Sequence, residues 1–313
     1  MAALVHIRVV VPTDRRVAVV PLLTAHGGVT NIVLLAGVAV EPEGDLLLFD
    51  VAREAATEVL ALLHDTGVSI DGSVMVMQAR LAIGASVDAA LDAAPGESDS
   101  SVVWPEVDAV VAKAQRATRL FYAYFVVASV IAAAGVLTDS PILIVGAMVV
   151  GPEYGPIAAM SWALERGRPQ AFFKAALVGA CGSTAAVAAA ALMTWILHGI
   201  DRIPEGFHLS DQANAGFITH PDIYTGIVAS VAAVAGVLSL AFEHSGALVG
   251  VLVSVTTIPA ISAIGVGFAL QDWNDMRGAG AQLGANLVCL VVVGALTFGV
   301  LRRWKPRHRR AQA

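Results

Sequence analysis

Residues 139–162, D-S-P-I-L-I-V-G-A-M-V-V-G-P-E-Y-G-P-I-A-A-M-S-W, decide the architecture of this chain. The stretch is apolar enough to enter a bilayer, yet Gly151, Pro152 and Pro156 interrupt it and Glu153 lies in its middle. Proline removes a backbone donor and clashes with the preceding helical turn. In hydrocarbon, backbone groups freed in this way are tolerated only where protein or a water-filled cavity satisfies them. The stretch therefore predicts a broken membrane helix whose carboxylate faces the protein interior.

The composition places the rest of the chain in the same class. Of the 313 residues, 57% are hydrophobic and 14% are charged, against about 45–50% and about 25% in soluble domains. The excess lies in residues 120–301, in runs close to the roughly 20 apolar residues that cross a bilayer. We therefore expect a polytopic α-helical membrane protein in a lipid bilayer, with a soluble N-terminal domain and no nucleic-acid partner. The two cysteines, Cys181 and Cys289, lie in apolar segments and are expected to be buried rather than paired.

The first 84 residues alternate between strand and helix patterns. Strands are predicted over residues 4–11, 31–35, 46–51 and 73–81, and helices from a cap at Thr13 or Asp14 to about residue 25 and over residues 53–65. This β-α-β-β-α-β order predicts an α+β ferredoxin-like domain over residues 1–84. Residues 85–119 are predicted to form a flexible linker followed by a juxtamembrane amphipathic helix from Glu106 to Arg119.

Six crossings are predicted within a membrane domain spanning residues 120–301. They run over residues 120–137, the broken stretch, and residues 171–197, 224–241, 245–270 and 281–301. Basic residues cluster on the side that holds both termini, including the tail 302–313, whereas the opposite side holds only Arg202 and Arg277. This distribution predicts that both termini are cytoplasmic.

The second half of the membrane domain echoes the first. Residues 245–251, S-G-A-L-V-G-V, also begin with a serine and precede a mid-membrane proline, Pro259. Because each half has three crossings, the halves would be inverted three-helix repeats, each with a broken helix. Paired Gly/Pro-interrupted segments in inverted repeats are typical of transporter sites. The alternative is that the prolines only kink two packed helices.

These residues carry a resemblance to a known family. The run G-A-M-x3-P-x2-G-P at residues 146–156, together with residues 245–251 and Pro259, resembles the bacterial uncharacterised hydrophobic-domain family, domain of unknown function 389. The resemblance covers about residues 120–301 and implies a protein of the bacterial cytoplasmic (inner) membrane with no established biochemical role. The family pattern is mostly apolar between its prolines, whereas this chain has Glu153 and Tyr154, which could tune a site or solve a packing problem.

The candidate functional residues follow from the two interrupted segments. A desolvated carboxylate could bind a cation or take up a proton, or it could lie near a membrane surface or be hydrogen-bonded to a neighbouring helix. The solute-binding candidates are Gly151, Pro152, Glu153, Tyr154, Gly155, Pro156, Thr256, Thr257, Pro259 and Ser262. The gate candidates are Asp139 and Ser140, for which helix capping is the simpler interpretation, and Glu243 and His244, which a tight turn would also explain.

The sequence favours transport over catalysis. No Walker loop, nucleophile elbow or H-E-x-x-H motif is present, so we expect no enzyme and no cofactor. The spacing of His198, His208 and His220 matches no standard ligand pattern, so we expect no metal. Small residues at 179–190 favour close helix packing and a homo-oligomer. We therefore expect a transporter or channel for a small solute or ion, regulated by the cytoplasmic domain. The alternative is a membrane-anchored sensor or scaffold that binds a metabolite or partner without transport.

Overall fold

The computed structural model describes residues 4–79, 82–94, 102–204, 206–213, 215–220, 222–242 and 257–303. The chain divides into two compact units, with the boundary between Val107 and Asp108. The first unit contains a small antiparallel sheet, and the second is entirely helical in its described part.

The first unit follows the predicted order of strands and helices, with additions. Its elements are β1 Leu4–Val11, α1 Arg16–Ala25, β2 Val29–Val40, β3 Glu43–Ala52, α2 Arg53–Asp65, α3 Val68–Asp71, β4 Ser73–Gln78 and α4 Ala85–Ala93. The strand order is β2-β3-β1-β4, and every neighbouring pair is antiparallel. Strand β2 is longer than predicted, and β4 ends three residues earlier.

The two main helices cover one face of this sheet. Odd-numbered β1 residues such as Val5 and Ile7 join Phe49, Val59 and Leu23 in one buried core. The strand predicted over residues 4–11 is therefore confirmed, and its successive side chains point to opposite faces of the sheet. On the other face, His6 Nδ1 lies 2.7 Å from Asp50 Oδ1.

The prediction of a helix cap at Thr13 or Asp14 was wrong. Helix α1 begins at Arg16, and the residue before it, Arg15, makes no side-chain cap. Instead, Arg15 donates to the carbonyl of Thr66 at 2.6 Å and pairs with Asp71. A cationic side chain thus ties the start of α1 to the segment around α3.

The segment predicted as a flexible linker contains helix α4. Its Val87 packs with Leu4 and Ala52 at the end of the sheet. The sequence did not predict this helix because most of its residues are small and only Val87 and Ala90 are buried. The next helix, α5, covers Trp104–Ala114, so the single helix predicted from Glu106 to Arg119 is interrupted before α6 begins.

The second unit is a bundle of apolar helices. They are α6 Arg119–Leu137, α7 Pro141–Val150, α8 Tyr154–Glu165, α9 Pro169–Gly199, α10 Ile223–Phe242, α11 Ile258–Ala269 and α12 Trp273–Arg303. Between α9 and α10 lie two 3₁₀ turns, Leu209–Asp211 and Gly216–Thr219. Four helices, α6, α9, α10 and α12, are long and apolar enough to cross a membrane, which is compatible with a membrane protein.

The end of the bundle where α6 begins is called the near side, and the opposite end the far side. Helices α6 and α9 both run from the near side to the far side, because Ser129 Oγ donates to the carbonyl of Ala186 at 2.7 Å and Ala133 packs with Ala190 one turn later. Helix α11 runs the same way: its start packs with Phe125 and its end with Val136.

Helices α7 and α8 together cross the bundle in the opposite direction. Helix α7 follows α6 at the far side, and α8 ends at the near side, where Glu165 Oε1 accepts a hydrogen bond from Arg302 Nη1 at 2.8 Å. The two helices are bent by 59° at a short break, residues 151–153. The pair connects the two ends of the bundle, and its bend lies at the break that the sequence predicted.

Helices α10 and α12 also run from the far side to the near side. Thr225 of α10 is hydrogen-bonded to Gln282 of α12 at 3.0 Å, and Val237, about three turns later, lies beside Gly294. The order of directions in α6, α7/α8 and α9 is therefore the reverse of that in α10, α11 and α12.

Most of the predicted crossings appear with modest changes at their ends. Helix α9 is two residues longer at each end than predicted, and α10 is one residue longer at each end. Of the predicted fifth crossing, residues 243–256 lie outside the described residues. The sixth begins at Trp273, eight residues earlier than predicted. Cys181 is exposed on the bundle surface and Cys289 is partly exposed, so the prediction that both are buried was wrong.

Candidate functional site

The break between α7 and α8 surrounds a buried carboxylate. Helix α7 ends at Val150, with Gly151 extended after it, and Pro152 cannot donate the backbone hydrogen bond that would continue the helix. Glu153 is the residue before α8 and is only 4% exposed. The sequence therefore produces the break at the predicted position and turns the carboxylate inwards.

A second helix begins at the same point. Thr257, the residue before α11, is 1% exposed and donates its hydroxyl to Glu153 Oε1 at 2.9 Å. Pro259 lies in the first turn of α11, where its missing N–H costs no helical hydrogen bond. Helices α8 and α11 thus start beside one carboxylate and run in opposite directions. Their N-terminal ends carry partial positive charge, and both lie beside the Glu153 side chain.

Gly151 is required by the space that the carboxylate occupies. A Cβ at this position would lie 2.9 Å from Glu153 Oε1 and 2.8 Å from Ile258 Cγ1, and closer still to Glu153 Oε2. Any side chain at Gly151 would therefore displace either Glu153 or the start of α11.

The other candidates at the break have packing roles. The hydroxyl of Tyr154 donates to the carbonyl of Gly236 in α10, which ties the start of α8 to the second half of the bundle. A Cβ at Gly155 would lie 3.2 Å from Ala114 Cβ. Pro156 is buried in the first turn of α8 and does not break that helix, contrary to the prediction that both prolines interrupt it.

Ser262, also predicted from sequence, belongs to a buried hydroxyl pair one turn into α11. Its Oγ lies 3.2 Å from Ser129 Oγ, which donates to the carbonyl of Ala186. The pair joins α6, α9 and α11. Thr256 lies outside the described residues.

The residues proposed as gates differ in the contacts that the structure shows for them. Asp139 Oδ1 accepts the backbone N–H of Ala215 at 3.0 Å, so it fastens the α6–α7 turn to the far-side loop. Ser140 precedes α7 but makes no side-chain cap, so the expectation of a capping side chain at this position was wrong. Glu243 and His244 lie outside the described residues.

A polar cluster at the far side was missed by the sequence analysis. His208, Asp272 and Asp275 each offer a possible metal-ligand atom within 4.8 Å of the others, which is the one such group in the described part of the chain. Asp275 Oδ2 accepts the backbone N–H groups of Leu209 at 2.7 Å and Ser210 at 3.2 Å. Because these hydrogen bonds explain the arrangement, we interpret the cluster as a latch, that is, a set of contacts that holds the far-side loop against the start of α12.

Charge strengthens this latch. His208 Nδ1 lies 2.5 Å from Asp272 Oδ2. The hydrogen bond to Asp272 and the charge of its carboxylate raise the pKa of His208. Burial opposes ionisation of Asp272, but hydrogen bonds from His208 and from backbone N–H groups of α12 outweigh it and lower its pKa. His208 and Asp272 also line a far-side cavity of about 370 Å³.

Further buried polar side chains of the bundle were also missed. Gln282 is 4% exposed and Asn286 is fully buried, both on α12, and Ser129 is fully buried on α6. A hydropathy reading treats each of them as a minor interruption of an apolar run. For Gln282 and Asn286, only their helical spacing relative to Asp275 on the same helix could have indicated a common face.

The fold and site together define a helical bundle of membrane-crossing dimensions, with a broken helix around a buried carboxylate. Residues 148–292 match the model of the family described as "Domain of unknown function (DUF389)". The resemblance found in the sequence is therefore confirmed, over a shorter range than predicted. No curated protein and no solved structure matches the chain.

Proposed function

We propose that the chain is a polytopic membrane protein that carries a small solute or ion along a pathway through Glu153. The observation that carries the proposal is the hydrogen bond from Thr257 to Glu153 at the meeting point of α8 and α11. Burying a carboxylate destabilises the folded state unless neighbouring groups stabilise the carboxylate. Here two helix N-termini and a hydroxyl do so, and a cation on the pathway could bind the same carboxylate. A cation or proton is therefore the simplest transported species.

The opposite directions of the two halves support inverted repeats. Helices α6, α7/α8 and α9 correspond in order to α10, the segment ending in α11, and α12. In transporters built in this way, the broken helix of each half contributes to one central site. The pairing of Glu153 from the first half with Thr257 from the second fits that plan.

The distribution of basic residues supports a cytoplasmic near side. Arg166, Arg168, Lys174, Arg302 and Arg303 all lie at near-side helix ends, whereas Arg202 and Arg277 lie at far-side ends. On this proposal, the protein resides in a bacterial inner membrane with both termini in the cytoplasm. The strand order β2-β3-β1-β4 supports a ferredoxin-like fold for the first unit, which would regulate the pathway in a homo-oligomer.

Flux through reconstituted protein tests the central site. Proteoliposomes loaded with sodium-, potassium- or pH-sensitive dyes should show flux for the unmodified chain and at least about a tenfold loss for Glu153→Gln. Asp201→Asn, which removes an exposed far-side carboxylate, should retain flux. Destabilisation of Glu153→Gln with unchanged flux would reject the site.

The sensor or scaffold alternative is favoured by one observation on the face of the sheet opposite α1 and α2. Arg8 lies there between Leu48 and Met75 on the neighbouring strands. Its Nε is buried and has no hydrogen-bond partner among the described residues. A guanidinium in apolar surroundings fits an anionic metabolite or an acidic partner. Stabilisation of the full-length chain by a carboxylate or phosphate compound, abolished by Arg8→Met and accompanied by no flux, would favour this alternative.

A further inference from the structure

The side-chain amide of Gln282 is buried in the far-side half of the bundle. Of its two polar groups, only the NH₂ group makes a hydrogen bond to a described residue. Its Nε2 donates to Thr225 Oγ1 at 3.0 Å. Its Oε1 is buried and has no hydrogen-bond partner among the described residues. A buried acceptor that is left unsatisfied destabilises the folded state, so this oxygen requires an explanation.

The hydrogen bonds around Thr225 fix the orientation of the amide. The Thr225 hydroxyl lies 2.8 Å from Asp222 Oδ1, which also accepts the backbone N–H of Thr225 at 2.8 Å. These hydrogen bonds lower the pKa of Asp222, so its carboxylate is ionised and can only accept. The single hydroxyl proton therefore goes to Asp222, and Thr225 must accept from Gln282. Reversing the amide would place two acceptors against each other.

Gln282 lies on a polar stripe along the buried face of α12. Asp275, Gln282 and Asn286 are all less than 5% exposed, and spacings of seven and four residues place them on one face of a helix. Asp275 is at the far-side end, three residues after Asp272, which lines the far-side cavity.

The near end of this stripe reaches the level of the broken helix. Helix α8 runs parallel to α12, and Ser161 Oγ lies 3.5 Å from the carbonyl oxygen of Leu290. One turn earlier on α12 is Asn286, and about two turns earlier on α8 is Glu153. Because Gln282 is as many residues before Leu290 as Glu153 is before Ser161, Gln282 lies at about the level of the central carboxylate, and the stripe extends from the far-side cavity to that level and one turn beyond it.

We propose that Gln282 Oε1 is a coordinating oxygen for an alkali metal cation that passes between the far-side cavity and Glu153. The inference rests on the proposed function and names its substrate class. Amide carbonyl oxygens are suitable ligands for hard cations. They do not take up protons near neutral pH, so a site that uses Gln282 selects a metal cation rather than a hopping proton.

Cation-dependent thermal unfolding of the full-length chain in detergent tests this proposal. The chain is titrated with sodium or potassium chloride against choline chloride at constant ionic strength, because a ligand that binds the native state raises its stability. The unmodified chain should be stabilised by one alkali cation. Gln282→Met should weaken the apparent affinity at least about tenfold, because it removes the ligand atom.

Thr225→Val is the matched control. It breaks the same Gln282–Thr225 hydrogen bond but keeps Oε1, so its cation affinity should stay within about threefold of the original. Gln282→Glu keeps an oxygen at this place and adds charge, so it should bind the cation more tightly. The Glu variant also provides a result if Gln282→Met does not fold.

The outcomes separate the two proposals. Loss of cation binding in Glu153→Gln with full retention in Gln282→Met would overturn the role of Gln282 and leave the central site standing. Equal losses in Gln282→Met and Thr225→Val would show that the hydrogen bond matters and the oxygen does not. No alkali-cation effect on the unmodified chain, with no tighter binding in Gln282→Glu, would indicate a buried water at Oε1 and overturn the inference. Proton flux persisting through Glu153 would then still support the proposed function.

Discussion

Glu153 and Thr257, 104 positions apart in the chain, share a hydrogen bond of 2.9 Å at the starts of two helices that run in opposite directions. Neither residue is more than 4% exposed. The pair joins the α7–α8 break to the residue that precedes α11, so a change at either residue affects both.

Thr257→Val should destabilise the chain by about 1.5–3 kcal/mol, because a buried carboxylate loses a charge-assisted hydrogen bond. Thr257→Ser keeps the hydroxyl and should recover most of the loss. Thermal unfolding in detergent, calibrated by denaturant titration, measures both. Equal destabilisation by Val and Ser would mean that the methyl group, and not the hydroxyl, matters at this position.

Gly151→Ala should destabilise the chain by about 1–3 kcal/mol, because its Cβ would overlap the Glu153 carboxylate and Ile258. Gly146→Ala, inside α7, would meet no atom within 4 Å. It should be neutral or stabilising by up to about 1 kcal/mol, because alanine is the better helix former. The same unfolding assay compares the two, and similar midpoints would contradict the tight fit at Gly151.

Gly182→Ala should weaken the contact between α6 and α9. Its Cβ would lie 2.7 Å from the Phe125 ring, and such overpacking costs about 1–3 kcal/mol. Gly179→Ala, one turn away, would meet Pro156 Cβ at an ordinary 3.4 Å and should change stability little. A lower unfolding midpoint for Gly179→Ala than for Gly182→Ala would be inconsistent with this packing.

The His208–Asp272 pair should make stability depend on pH. Because the folded pKa of His208 is raised, its contribution is complete below the unfolded value of about 6.5 and is lost as the pH rises through the folded pKa. Because the pKa of Asp272 is lowered, its contribution is present above about 3.9 and is lost as the pH falls through the folded pKa.

The unfolding midpoint of His208→Gln should therefore lie below that of the unmodified chain at about pH 6, and the difference should shrink towards about pH 9. The control is His198→Gln, because His198 lines the same cavity but has no carboxylate partner among the described residues. A pH-independent difference for His208→Gln would show that its protonation does not contribute.

The sequence predicted the break in the second span because proline and glycine act locally on the backbone. Pro152 lacks the backbone N–H that would continue α7, and the cost of exposing a carboxylate to hydrocarbon predicted that Glu153 faces inwards. The partner of Glu153 was harder to predict, because Thr257 is only one of several hydroxyls near Pro259. Its role depends on a contact across 104 positions.

The missed residues share a different cause. His208 and Asp272 meet only because the far-side loop folds back onto α12, so their spacing in sequence carries no ligand pattern. The start of α12 was missed because Asn274 and Asp275 resemble a loop, whereas Asp272 Oδ1 accepts the backbone N–H groups of both. Gln282 and Asn286 were missed because hydropathy was averaged over an apolar window. Such an average does not show on which face of the helix a polar side chain lies.

The antiparallel start of α8 and α11 has an electrical consequence. Each helix N-terminus is equivalent to about half a positive charge, so the two together roughly cancel the single negative charge of Glu153. On the proposed function, a cation that reaches this centre would therefore add nearly its full charge partway across the membrane field. Because one elementary charge is worth about 2.3 kcal/mol per 100 mV across the whole membrane, occupancy of this centre would depend on voltage, and transport through it would generate current.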